Sequence, residues 1–198
     1  ELLGRDIRKS HRYSSCLMCL SMVPFYEKGK PVVKESTFLE NQVGVIAVRP
    51  YKKGEVIFLV EGPTTSKRSK HSFEIGLNRH IEPRQVGDTY NLGHCVNHSC
   101  DPTVIAKIIE KGNTDPYIEV IARRDLKKGE EMTFDYATLE YEITLVNTIC
   151  KCKAEKCRGM IHGFKDLPSD VVESYKEEGI FASYLLEVEK DSGKSFPH

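Results

Sequence analysis

A ten-residue pattern occurs twice in this chain. "IAVRPYKKGE" at 46–55 returns as "IARRDLKKGE" at 121–130, 75 residues later. Each copy reads as a short apolar strand, a charged turn in which Gly supplies a left-handed conformation, and a second strand. "VIFLV" follows the first copy and "MTF" the second. The copies are either related units or two surface turns built to a common recipe. Both readings make the middle of the chain a set of short strands joined by tight turns.

Other stretches fit that pattern. "HSFEIGL" at 71–77, "TVIAKIIE" at 103–110 and "YIEVIA" at 117–122 read as strands, the last two joined by the turn-rich "KGNTDP" as a hairpin. The last third changes character. "LPSDVVESYKEEG" reads as a helix opened by Pro168 or Ser169 and closed by Gly179, and "FASYLLEVEK" at 181–190 as a second one. Near the start, "SSCLMCLSMV" reads as a short buried segment.

Charge excludes some functions. Lys plus Arg number 29 and Asp plus Glu 29, so no global basic field argues for direct nucleic-acid binding. The basic "SKRSK" at 66–70 reads as a solvated loop. Apolar runs are too short for a membrane span, and "ELLGRDIRKSHRY" is too charged for a secretory signal. An intracellular location, nuclear or cytoplasmic, follows as the expectation.

Seven cysteines are present: Cys16, Cys19, Cys95, Cys100, Cys150, Cys152 and Cys157. In a reducing compartment such clusters bind metal or are buried. Cys150, Cys152 and Cys157 follow C-x-C-x4-C, and three thiolates that close suit one Zn²⁺. A closed site needs a fourth ligand, from Cys16, Cys19, Cys95, Cys100 or a histidine. Cys16-x-x-Cys19 reads better as two small core residues. His94 and His98 stand four apart, the spacing of a helical metal pair, which opens a metallohydrolase reading. That reading lacks the glutamate beside the first histidine that would act as base.

Three stretches, "NHSCDP" at 97–102, "GEEMTFDY" at 129–136 and "CKCKAEKCRG" at 150–159, together resemble the SET-domain protein-lysine methyltransferases with their zinc-binding post-SET segment. "NQVGVIAVRPYKKGEVI" at 41–57 is similar to the opening strand and turn of that domain, so the likeness runs from about residue 35 to about residue 162. It implies a mostly β fold of small curved sheets, a β-clip-like SET fold with a knot-like crossing, and short C-terminal helices. The domain organisation would be an N-terminal extension (1–34), a SET domain (35–148), a post-SET zinc segment (149–163) and a helical extension (164–198).

The resemblance also implies roles. S-adenosylmethionine would meet Asn97 and His98, largely through backbone groups and the Asn amide, and would pack on Val43, Gly44, Tyr136 and Ile161, with Met160 beside the last. Tyr136 would stand at the point of methyl transfer, and Phe73 and Phe134 would line the lysine channel. Cys100 would join Cys150, Cys152 and Cys157 around one structural zinc. The substrate would be a protein bearing a lysine, a histone or another. The chemistry needs a neutral amine, alignment and desolvation, with no nucleophilic side chain. Phe134 replaces a tyrosine of some relatives, and the room it leaves favours a second or third methyl. This chain departs at Gln42, where the family carries Gly, at His94-Cys95-Val96 for Arg-Phe-Ile, at Thr103 for Asn and at Phe73 for Tyr. The lost first Gly also admits a non-catalytic module that binds a lysine-bearing segment.

Overall fold

The computed structural model describes residues 31–84, 92–112, 114–144 and 149–191. Cys16, Cys19 and the segment around them lie outside these. Three small sheets make up the body. The first holds β1 (Val32–Glu35), β2 (Val43–Ile46), β10 (Glu131–Phe134) and β7 (Asn97–His98), in that order. The second is β3 (Val56–Val60), β9 (Tyr117–Ala122) and β8 (Val104–Ile109). The third is β4 (Thr64–Thr65), β6 (Arg79–Ile81) and β5 (Phe73–Gly76). The hairpin expected around "KGNTDP" is β8–β9, in register from Val104↔Ala122 to Ile109↔Tyr117.

The repeated decapeptides lie antiparallel against each other. Tyr51 and Leu126 exchange both backbone hydrogen bonds, at 3.1 and 2.9 Å. Around that pair the contacts are reciprocal. Ala47 N donates to Glu130 O and Ala122 N to Glu55 O, both at 2.9 Å; Gly129 N donates to Ala47 O and Gly54 N to Ala122 O, both at 2.8 Å. Within each copy an arginine meets the closing glutamate, Arg49 with Glu55 and Arg124 with Glu130. Gly54 and Gly129 turn at φ 83° and 91°, the left-handed region that only Gly adopts without strain. The echo is therefore a local pseudo-twofold. Each copy leads out of one sheet and into another, so the paired turns set the sheets against each other.

Two helices close the C-terminal end. α1 (Ser169–Glu178) follows Pro168, whose fixed φ suits a helix start, and stops at Gly179 in the left-handed conformation. α2 (Ser183–Asp191) follows after a short turn. Val172, Tyr175, Phe181 and Leu185 are buried, and Phe181 packs edge-on against Phe164 and Tyr175. Each apolar side chain so buried stabilises by about 1.5–3 kcal/mol. Ala182 N donates to Thr138 O at 2.9 Å and the Tyr184 hydroxyl to Leu139 O, which ties the helices to the segment just past β10.

Candidate active site

The site forms where β7 and β10 run parallel, pairing Thr133 with Asn97 and Phe134 with His98. This brings "NHSC" beside "TFDY". Thr103 holds the crossing from the far side. Its hydroxyl donates to Glu131 O at 3.1 Å and accepts Thr133 N–H at 2.8 Å, an explanation for a threonine at that position.

One buried carboxylate organises the start of the site. Glu131 accepts from the Ser36 hydroxyl, from Thr37 N at 2.6 Å, from the Thr37 hydroxyl at 2.9 Å and from Asn97 Nδ2 at 2.7 Å. The second Asn97 amide hydrogen goes to Val43 O at 2.8 Å. Gly44 faces this carboxylate so closely that any Cβ would collide with Glu131 Oε1. The glycine is thus required by Glu131, whatever it does toward a ligand.

Past Glu131 the site becomes aromatic. Phe73 stacks on Phe134 with centroids 5.9 Å apart, and Phe134 tilts against Tyr136 at 4.8 Å. With Gly93, Val96 and Glu140 they line a cavity of about 90 Å³. The Tyr136 hydroxyl donates to Val96 O at 3.2 Å. Burial, reinforced by Glu140, raises its pKa far above the ordinary tyrosine value, so the hydroxyl keeps its proton.

The far wall of the cavity is ionic. Arg68 Nη2 lies 2.8 Å from both Glu74 Oε2 and Glu140 Oε2. Burial pushes the Glu140 carboxyl up to about 7, against the opposing pull of the Glu74 backbone N–H and Arg68. The "SKRSK" stretch is therefore more than a solvated loop: Arg68 is one of the walls, and the sequence reading missed it.

Behind Tyr136 the cysteines converge. One sulfur from each of Cys100, Cys150, Cys152 and Cys157 lies within 4.8 Å of the others. Backbone N–H groups point at three of them: Cys100 N at Cys152 Sγ, Arg158 N at Cys100 Sγ and Gly159 N at Cys157 Sγ. Burial raises the Cys100 thiol to about 11, whereas at Cys152 burial is opposed by the N–H groups of Cys100 and Ala154 and by hydrogen bonds with the Cys150 and Cys157 thiols, which together lower it to about 7. Among the described residues neither His94 nor His98 joins this cluster. His94 instead packs edge-on against His71, with ring centroids 5.1 Å apart, which leaves the helical His pair of a metallohydrolase without support.

Asp135, fully buried, joins the parts. Its carboxylate accepts from Arg158 Nη2 at 2.7 Å, from the Tyr175 hydroxyl at 3.1 Å and from Ala137 N at 3.2 Å. The Tyr175 hydroxyl also lies 3.3 Å from Cys100 O. Arg123 stacks over the Tyr175 ring and pairs with Glu178 and Asp101. α1 is thereby fastened to the cysteine segment and to the residue before Tyr136.

The SET-domain family profile matches residues 42–137, the span that carries Gly44, Asn97 and Tyr136. The chain belongs to the SET-domain family. Among curated relatives of this SET protein is the histone-lysine N-methyltransferase ATX2 of Arabidopsis thaliana, 29% identical over 135 residues, covering 60% of this chain and 12% of that protein. The probable histone-lysine N-methyltransferase set-23 of Caenorhabditis briggsae is 30% identical over 139 residues, 67% of this chain and 56% of that one. The histone-lysine N-methyltransferase set1 of Dictyostelium discoideum is 44% identical over 68 residues, 34% of this chain and 4% of that one. The chain thus spans between 4% and 56% of the length of these relatives. A solved structure, KRYPTONITE in complex with mCHH DNA, H3(1-15) peptide and SAH, shares the fold at a TM-score of 0.54 and 21% identity, over 68% of this chain and 30% of that one.

Most of the residues singled out from the sequence lie together in this SET fold. Val43 meets Asn97 through its carbonyl and Gly44 faces the Glu131 carboxylate that Asn97 also bonds, and Phe73, Phe134 and Tyr136 share one cavity. Ile161 is half-buried just beyond the cysteine loop, next to Met160, which bridges to Ile149. Glu131, Asp135, Arg158, Tyr175 and Glu140 were missed. Only their burial marks them, and a lone acidic or basic residue in a sequence reads as surface.

Proposed function

We propose that this SET protein transfers methyl groups from S-adenosylmethionine to the ε-amine of a lysine in a protein, a histone tail being the favoured substrate. The observation that carries this reading is the aromatic cavity of Phe73, Phe134 and Tyr136 with a hydroxyl fixed at its wall by Val96 O. The curated relatives are histone-lysine methyltransferases, and the KRYPTONITE structure holds an H3 peptide and SAH. A histone substrate places the work in the nucleus.

The residues fit the cofactor. Asn97 spends both amide hydrogens on Val43 O and Glu131, and among the described residues its Oδ1 has no partner. That oxygen suits an ammonium such as the one on the methionine end. Val43, Gly44, the His98 backbone, Tyr136 and Ile161 would complete the wall. When bound, S-adenosylmethionine supplies an electrophilic methyl group. The rest is positioning. The aromatic cavity strips water from the lysine amine, which favours the neutral, reactive form. Tyr136 donates its proton to Val96 O, so its lone pairs are available to the amine or to a polarised C–H. A phenol that keeps its proton orients and does not act as base.

The cysteines fit zinc. Four sulfurs within 4.8 Å, three of them met by N–H donors, form a closed thiolate set without an open position. Such a metal is structural and fastens residues 150–157 onto Cys100. The domain limits read from the sequence follow the same division: SET domain, zinc segment, helical extension.

Labelled S-adenosylmethionine incubated with nucleosomes, core histones and a cell lysate tests the activity. Label on a lysine is expected; binding without transfer would favour the non-catalytic module. Mass spectra of the product then test Phe134. Di- or trimethyl-lysine is expected from the native protein, and a shift toward monomethyl-lysine from Phe134→Tyr, whose hydroxyl fills the space.

A further inference from the structure

His98 stands between the cysteine cluster and Tyr136 and touches both. Its Nε2 is 3.5 Å from Cys100 Sγ, its Nδ1 accepts the backbone N–H of Tyr136 at 3.3 Å, and its ring packs edge-on against the Tyr136 ring with centroids 5.2 Å apart. The sequence arranges this simply. In extended chain, residues two apart share a side, so His98 and Cys100 turn one way while Asn97 turns the other, toward Glu131. An imidazole that accepts at Nδ1 carries its proton on Nε2, where it faces the sulfur. Asp135 Oδ1 is the other group near Nδ1, at 3.6 Å, beyond hydrogen-bond reach.

We infer that His98 is a positioning residue that links the zinc segment to the methyl-transfer point, its Nε2–H donating to the Cys100 thiolate while its Nδ1 fixes the backbone of Tyr136. The inference rests on the zinc and Tyr136 readings above. An imidazole in this place stabilises the thiolate and orients the ligand, as partners of metal ligands do. It also makes the position of Tyr136 sensitive to whether the cysteines are loaded.

The test uses the intact protein labelled with ¹⁵N-histidine. Zinc content and turnover of the native protein check the underlying readings. Imidazole ¹⁵N resonances check this one: the Nε2–H tautomer is expected at His98, with its Nε2 moving most among the histidines when zinc is stripped. Two variants separate the two contacts. Glutamine places its amide nitrogen about where Nε2 lies, and asparagine places its amide about where Nδ1 lies. His98→Gln should lower kcat about tenfold and change zinc release less than about threefold. His98→Asn should speed zinc release to a chelator about tenfold and lower kcat less than His98→Gln does. An Nδ1–H tautomer directed at Asp135 would overturn the inference, and so would equal changes of both readouts in both variants. The tautomer decides even if neither variant folds.

Discussion

The two decapeptides start alike and end differently. Up to Glu55 and Glu130 they share turn, glycine conformation, ion pair and reciprocal backbone bonds. One residue later they part. Val56 is 46% exposed, whereas its counterpart Glu131 is 5% exposed. Leu59 is 42% exposed and Phe134 6%. Val60 and Asp135 are both fully buried, one apolar and one a carboxylate. The first copy feeds an ordinary strand with apolar residues to spare on the surface. The second buries its polar residues, each with partners, because the Asn97 network, the aromatic cavity and the cysteine cluster meet there. A shared turn therefore sets architecture, and the residues just past it set function.

Exchanging residues between the copies tests that division. Asp135→Val, which installs the residue of the first copy, leaves Arg158 buried without its carboxylate and Tyr175 with only Cys100 O as acceptor. A loss of about 3–5 kcal/mol is expected in denaturant unfolding, with weaker zinc retention. Wild-type stability would show that Asp135 holds nothing together. Glu131→Val removes the acceptor shared by Ser36, Thr37 and Asn97. It should cost about 3 kcal/mol and weaken S-adenosylmethionine binding in calorimetry by about tenfold or more, since Asn97 loses its orientation. Unchanged affinity would detach Glu131 from the cofactor wall.

Smaller effects follow. Farther along the second copy, Glu140 titrates at about 7 in the folded protein against an ordinary 4.5. A carboxyl raised in this way contributes stability below about pH 4.5 that is lost as pH rises through about 7. Glu140→Gln should therefore reduce the fall in Tm between about pH 5 and 7.5, by about 5 °C. Parallel curves for the two proteins would remove Glu140 as the titrating group. In the first copy, Val56→Glu, which installs the residue of the second, should change stability by less than about 0.5 kcal/mol because the side chain already faces water. A large loss there would show that the two copies are less different than their burial indicates.

Much of the fold was legible in the chain. Alternation and turn residues located β8 and β9 to within one residue of their ends, Pro168 and Gly179 bracketed α1, and the repeated decapeptide announced two matching turns. The cysteine spacing named three of the four residues whose sulfurs converge, and the resemblance to the SET domain supplied the fourth, Cys100. These signals are local, carried by residue type at fixed spacing. The partners of buried charge were not legible. Arg68 with Glu140, Arg158 with Asp135 and Ser36 with Glu131 are separated by 72, 23 and 95 positions. A lone acidic or basic residue carries no sequence mark of burial, and whether it lies in water or inside depends on which distant segments pack around it. The sequence by itself determined the short strands, the turns, the helix ends and three of the four clustered soft ligands, because each depends on backbone preference and spacing. Only the tertiary structure decided that the two turns would pair, that Gly44 would yield its space to Glu131, and that one histidine would stand between the cysteines and Tyr136.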